Sequence, residues 1–149
     1  MTRTLDQTRA ANALDVVAKL RQGSGDRQDR SEWNDRYASY VESLPATILT
    51  CGLGQACAML LAAARGDAKD PHLALYRHLQ GWLCRNESGA VYPAGDLLEA
   101  VVNGDRYLYL RAQAEALAWL QWLKKLAVAY LKRPERTGGD AGDSAALQG

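Results

Sequence analysis

Residues 105–133, DRYLYLRAQAEALAWLQWLKKLAVAYLKR, contain no Gly or Pro and are dominated by Leu, Ala, Arg, Lys, Gln and Glu. Such a stretch reads as one helix of roughly 40 Å at ~1.5 Å per residue, about the diameter of a small domain, so other helices can pack along it. Asp105 is the expected N-cap, the basic pair Lys132 and Arg133 falls in the last turn, and Pro134 ends the helix. Leu108, Ala112, Ala116, Trp119, Leu123, Ala127 and Tyr130 recur at three- and four-residue intervals, with Leu120 and Leu126 widening the stripe. One face is therefore expected to be buried. The opposite edge, with Arg106, Gln113, Gln121, Lys124, Lys125 and Lys132, is expected to be wet and basic.

The rest of the chain reads as shorter helices arranged around this one. Residues 4–21 place Ala10, Ala13, Leu14, Val17 and Leu20 on one face. The glycines and mixed charges of residues 22–29 break the pattern and predict a surface loop, after which Ser31 can cap a second helix carrying Trp33, Tyr37, Tyr40, Val41 and Leu44. Pro45 predicts a boundary or kink at 43–45 and a third helix over 45–65, apolar on most of its circumference, with Gly52 and Gly54 in its interior for close packing. Asp70 and Pro71 open a fourth helix that ends near Arg85. A loop over NESGAVYPAG leads to a short fifth helix from about Pro93 to Asn103, closed by Gly104. The expected fold is all-α, a single-domain bundle of about six helices over residues 1–133, followed by a small, polar, Gly-rich tail over 134–149.

Several function classes have no support in these residues. A net charge of +1 and a pI of about 7.7 deny the molecule the broad positive field of a free-standing nucleic-acid binder, so any such contact needs a local patch. The three cysteines Cys51, Cys57 and Cys84 are odd in number and read as buried thiols in a reducing cytoplasm. Six residues of helix separate Cys51 and Cys57 by about 9 Å, too far for a bridge. No apolar run approaches the ~20 residues that span a bilayer. His72 and His78 sit about 120° apart on one helix and make no metal pair, and no Cys-x-x-Cys accompanies them. The Gly-rich pieces lack the strand and the Lys-Ser/Thr of a phosphate loop. No cofactor, metal site or catalytic group is expected. The tryptophans and tyrosines lie mainly on apolar stripes, with Trp33, Tyr92 and Tyr109 as the exceptions that could stack on bases. Positive charge is concentrated instead: residues 105–133 hold six Lys/Arg against two Asp/Glu, and the remainder twelve against fifteen. That strip is either a solvated helix face or a track for a phosphate backbone.

Three segments carry a family resemblance. DQTRAANALDVV at 6–17, RYASYVESLPATILTCGLGQACAMLL at 36–61 and YLYLRAQAEALAWLQWLKKLAVA at 107–129 together resemble the small helical subunit of the Cmr type (type III-B) of CRISPR RNA-guided effector complex. The order is distinctive: a QxRA first helix, a Tyr-rich segment leading into LPxxIxxxGLxQA, and a YLxxxxEALxWLxWLK last helix. The resemblance implies a non-catalytic cytoplasmic protein of antiviral defence. It implies that copies stack on one another beside the other subunits and help to hold target RNA with its guide RNA, target cleavage belonging to a neighbouring subunit. By matching motif positions, Arg9, Arg111, Lys124 and Lys125 are the expected RNA contacts. Lys19, Arg21 and Arg77 are added on charge alone. Neither the 22–30 loop nor the tail acquires a role from it. Two other readings compete: a helical protein–protein adaptor without nucleic acid, and a small hydrolase or metal enzyme built on His72, His78 and Cys84.

Overall fold

A computed structural model describes residues 2–23 and 25–133, so the tail expected over 134–149 lies outside the described residues. Six helices follow in order: α1 Leu5–Arg21, α2 Arg27–Cys51, α3 Leu53–Ala64, α4 Pro71–Leu83, α5 Leu97–Asn103 and α6 Arg106–Tyr130. The all-α bundle is thus observed, with α6 packed against α1, α2 and α4, and α3 against α2, α4 and α5. Arg9, Asn12 and Arg21 of α1 meet Glu115, Trp119 and Tyr130 of α6 in the same order, so the first and last helices run side by side in one direction. Helix α2 runs against them, its start lying near Arg133 and its end near Tyr109.

Local capping chemistry fixes most starts. Thr4 and Gln7 form a reciprocal capping box on α1, with bonds of 3.1 and 2.8 Å. Asp70 accepts from the His72 amide ahead of Pro71, and Asp105 accepts from the Leu108 amide, both at 2.8 Å. The α5 start is set by tertiary contacts as well as by its own cap. Tyr76 Oη donates to Asp96 at 2.7 Å and accepts from the Leu98 amide at 2.9 Å, while Gln80 accepts from the Leu97 amide. These bonds place the first residue at Leu97 rather than near Pro93.

The middle of the chain departs most from expectation. Helix α2 passes through Pro45 without a boundary and continues to Cys51. The ring costs one backbone hydrogen bond, but Val41, Leu44 and Ile48 keep one fully packed face across it. The Ser43 and Thr47 hydroxyls bond the Tyr40 and Ser43 carbonyls around the same turn. The break comes instead at Gly52, whose φ of +87° and ψ of 161° lie in a region open essentially to glycine alone. Here α6 caps α3: Gln113 accepts from the Leu53 amide at 3.1 Å and Tyr109 Oη from the Gly54 amide at 3.4 Å. Gly52 and Gly54 therefore mark a helix junction rather than a helix interior. Leu49 near the end of α2 and Met59 on α3 are exposed, so residues 45–65 are not buried all round.

Other corrections are smaller. Helix α2 begins at Arg27, with Ser31 inside it, because residues 27–31 contain no breaker and Asn34 reaches back to the Leu20 carbonyl. Helix α6 stops at Tyr130, leaving Lys132 and Arg133 beyond its last turn, and Tyr130 is half-exposed. In α1, Ala13 and Val17 carry the buried face and Leu14 is exposed. Cys57 and Cys84 are buried, whereas Cys51 is exposed at the α2 end. No helix among the described residues is long and apolar enough to cross a membrane.

At Gly52 an added Cβ would meet Tyr109 Oη at 2.7 Å, whereas at Gly81 it would meet nothing within 4 Å. Gly52→Ala is expected to lower unfolding free energy by about 3 kcal/mol, combining backbone strain with a displaced tyrosine. Gly81→Ala is expected to raise it by about 0.5 kcal/mol through helix propensity. Urea midpoints of the two variants check both signs.

Candidate nucleic-acid interface

A bidentate, largely enclosed ion pair lies within the bundle. Arg9 Nε and Nη2 donate to the two carboxylate oxygens of Glu115 at 2.7 and 2.8 Å, with the side chains only 19% and 14% exposed. Trp82 Nε1 donates to the same carboxylate at 3.2 Å, and Arg85 lies over the Trp82 ring at 3.9 Å. The Arg9 hydrogen bond, strengthened by the charge of Arg9, holds the Glu115 carboxyl below the usual carboxylate range despite its burial. Arg9, expected as an RNA contact, is thus engaged in joining α1, α4 and α6.

The remaining indoles are also used as anchors. Trp119 donates to Asn12 at 2.9 Å, Trp122 to Asp6 at 3.0 Å and Trp33 to the Lys69 carbonyl at 2.7 Å. With Trp82 this accounts for all four tryptophans of the sequence, and Trp33 stacks further on Tyr37. Of the two tyrosines marked for stacking, Tyr92 is buried and Tyr109 serves the α3 start. The most exposed aromatic residues among the described ones are Tyr107 and Tyr130, 74% and 49% exposed.

The other basic candidates are dispersed. Lys19 pairs with Asp15 at 2.9 Å on the exposed side of α1. Arg21 lies 4.9 Å over the Tyr130 ring. Arg77 is exposed on α4, and Arg111 reaches the Gly89 carbonyl at 3.3 Å. Lys124 and Lys125 are exposed on α6 and belong to none of the ion pairs among the described residues. The strip expected on α6 is narrower than its sequence: Gln113 is tied to α3 and Lys132 pairs with Glu42. Arg106, Arg111, Gln121, Lys124 and Lys125 remain on its open face, beside Tyr107 and Leu110.

The structure also assembles cations that reading the sequence passes over. Asp26-Arg27 and Asp29-Arg30 read as self-neutralising pairs, yet helical geometry separates their signs. Asp26 and Asp29 line a depression of about 610 Å³ with Lys19, Trp33 and Lys69, while Arg27 turns to a smaller one shared with Arg21 and Arg133; Arg30 borders both. The available signal is the three-residue spacing of Arg27 and Arg30, which helix periodicity places on one face.

Neither enzyme reading gains a centre. His78 Nδ1 and the Tyr37 hydroxyl share a hydrogen bond at 2.7 Å, and His72 bonds Asp70 and stacks on Tyr40. Burial pushes the Cys57 and Cys84 thiols up to about 12 and about 11, away from the reactive thiolate. No group of three or more His, Cys, Asp or Glu among the described residues could hold a metal ion.

The family model described as CRISPR-associated protein (Cas_Cmr5) matches residues 5–130, from the start of α1 to the end of α6. The chain belongs to the Cmr5 family. A CRISPR-associated Cmr5 family protein from Thermus thermophilus, known from an X-ray crystal structure, is similar at 29% sequence identity. The likeness covers 88% of this chain and 100% of that one, with a TM-score of 0.65. As a Cmr5 family member the chain is a small helical subunit of the Cmr complex.

Two outcomes follow from the buried groups. Arg9→Ala leaves the Glu115 carboxylate enclosed without its guanidinium partner and is expected to cost about 3 kcal/mol, whereas Lys19→Ala on the exposed surface costs within about 0.5 kcal/mol, both read from urea unfolding. Burial holds His78 down at about 4, against 6.5 for an ordinary histidine. The unfolded chain therefore takes up this proton first as pH falls, and stability present above pH 6.5 is lost between 6.5 and about 4. Over that window the loss due to His78 is about 3 kcal/mol, at ~1.4 kcal/mol per pH unit, and His78→Gln should flatten it in unfolding curves measured against pH.

Proposed function

We propose that this Cmr subunit is non-catalytic and helps to hold target RNA, in copies stacked along the complex. The observation that carries this reading is the open face of α6, where Arg106, Arg111, Lys124 and Lys125 stand outside every ion pair among the described residues of an otherwise near-neutral protein. Cations spaced along one rigid helix suit a repeating phosphate backbone, and a few such contacts confer affinity without sequence readout. Lys19, Arg21 and Arg77 add charge on other faces, while Arg9 acts through the fold rather than on RNA. One chain alone binds weakly, and several copies in a row supply affinity by effective concentration. Tyr107 and Leu110 beside the strip provide apolar area for a like neighbour or another subunit.

The isolated chain is expected to bind single-stranded RNA weakly, without sequence preference, and with strong salt dependence. The deciding experiment is purification of the chain at native expression level, with identification of co-purifying protein and RNA. Recovery of a guide-sized RNA together with larger subunits, reduced by Lys124→Glu and Lys125→Glu while the protein subunits stay, supports the reading. Protein partners without RNA, or RNA recovery indifferent to both reversals, would leave an adaptor with a solvated basic helix.

A further inference from the structure

A second basic feature lies at the end of the bundle, away from the open face of α6. The C-terminal end of α1, the N-terminal end of α2 and the residues after α6 meet there around a depression of about 280 Å³. Five of its lining residues are cationic: Arg21, Arg27, Arg30, Lys132 and Arg133. None is Asp or Glu, although five carboxylates stand close by in sequence. Asp26 and Asp29 line the larger depression instead, while Glu42 pairs with Lys132, Glu32 with Arg133, and Asp35 accepts from the Arg133 amide, which leaves Arg21, Arg27 and Arg30 as the cations without a carboxylate partner among the described residues.

Three of the cations also rest on neutral groups. Arg133 Nε donates to Ser31 Oγ at 3.2 Å, Arg30 Nη1 donates to the Gly23 carbonyl, and Arg21 rests on the Tyr130 ring. Arg30 Nε is buried and has no hydrogen-bond partner, an omission that in a native protein calls for an explanation. Helix α2 opens here too. Its N-cap Asp26 makes no side-chain bond to the first turn, so the first N–H groups keep their donors and the positive end of the helix dipole adds to the field. Guanidinium forks, hydroxyl and amide donors, and a half-exposed ring together match a phosphate with an unstacked base beside it.

We propose that this pocket binds a backbone phosphate of single-stranded nucleic acid, with Tyr130 as the surface on which the adjoining base rests. Its small volume admits one phosphate of a flexible strand rather than the flank of a duplex. The site is separate from the α6 strip, only Arg21 among the earlier candidates belonging to it. Arg27 and Arg21 are the variable donors, being exposed and free of carboxylate partners among the described residues. Arg30 is the fixed one.

The test uses the full chain and a fluorescein-labelled oligouridine RNA, with anisotropy followed across a salt series. Arg21→Gln combined with Arg27→Gln is expected to lower affinity at least tenfold and to flatten the plot of log K against log salt by about 1.4, two single-strand contacts' worth. Tyr130→Ala is expected to weaken binding without changing that slope. Inorganic phosphate should shift the backbone amide resonances of Arg27 and Gln28 in the wild type and not in the double variant. Thermal melts confirm that the exposed substitutions leave the fold intact, and Arg27→Lys should restore part of the loss. An unchanged affinity and slope in the double variant overturns the proposal. So does a phosphate shift without an RNA effect, which would assign the pocket to an acidic protein segment. Loss confined to Lys124→Gln and Lys125→Gln would uphold the α6 strip and overturn the pocket, and the reverse pattern would do the opposite.

Discussion

The Glu115 carboxylate is the point on which the packing of this bundle depends. It takes two hydrogen bonds from Arg9 of α1 and one from Trp82 of α4 while being itself part of α6, so three helices converge on one charge. A carboxylate this enclosed is costly to desolvate, and only the bidentate arginine and the indole make its position acceptable. Apolar contacts alone would tolerate some sliding of α1 along α6, because Ala13 and Val17 offer a smooth surface. The polar bonds of Arg9, Asn12 and Asp6 do not.

Local chemistry is legible in the sequence and distant chemistry is not. Thr4 and Gln7, Asp70 with Pro71, and Asp105 announce helix starts within a few residues, and the structure puts helices there. The stripe from Leu108 to Ala127 is equally plain, since its period is internal to one helix. Pro45 misleads because the cost of a helix-interior proline is local while the packing that outweighs it is tertiary. Gly52 is misread for the complementary reason: its caps, Gln113 and Tyr109, lie about sixty residues downstream. Cys51 and Tyr130, expected to be buried, sit at helix ends with their side chains turned to solvent, although Leu53 and Leu131 close by are buried.

The same distinction governs the basic residues. Arg9 stands in a motif whose resemblance suggests an RNA contact, and its partner is 106 positions away. Lys124 and Lys125 can be placed on an open face from periodicity alone. Arg27 and Arg30 cannot be valued in that way, because pairing with the preceding aspartates looks sufficient until the helix rotates the two signs apart. A formal charge of +1 thus conceals two separate concentrations of positive charge on a molecule whose overall field is weak. For a member of a larger complex this suits a subunit whose contacts acquire strength only when it is held in place.

The side-by-side course of the first and last helices has a consequence for how the molecule is made. During synthesis α1 emerges at the start, yet Glu115, Trp119 and Trp122 come off the ribosome only near the end. Until then Arg9, Asn12 and the Ala13–Val17 surface have nothing to bind, and the middle helices cannot close over them. Docking of α1 on α6 is therefore a long-range closure that has to wait for residues 115–122, unlike the pairing of neighbouring helices. A nascent chain stalled before residue 115 would present its first helix, unpartnered, to the quality-control machinery of the cell.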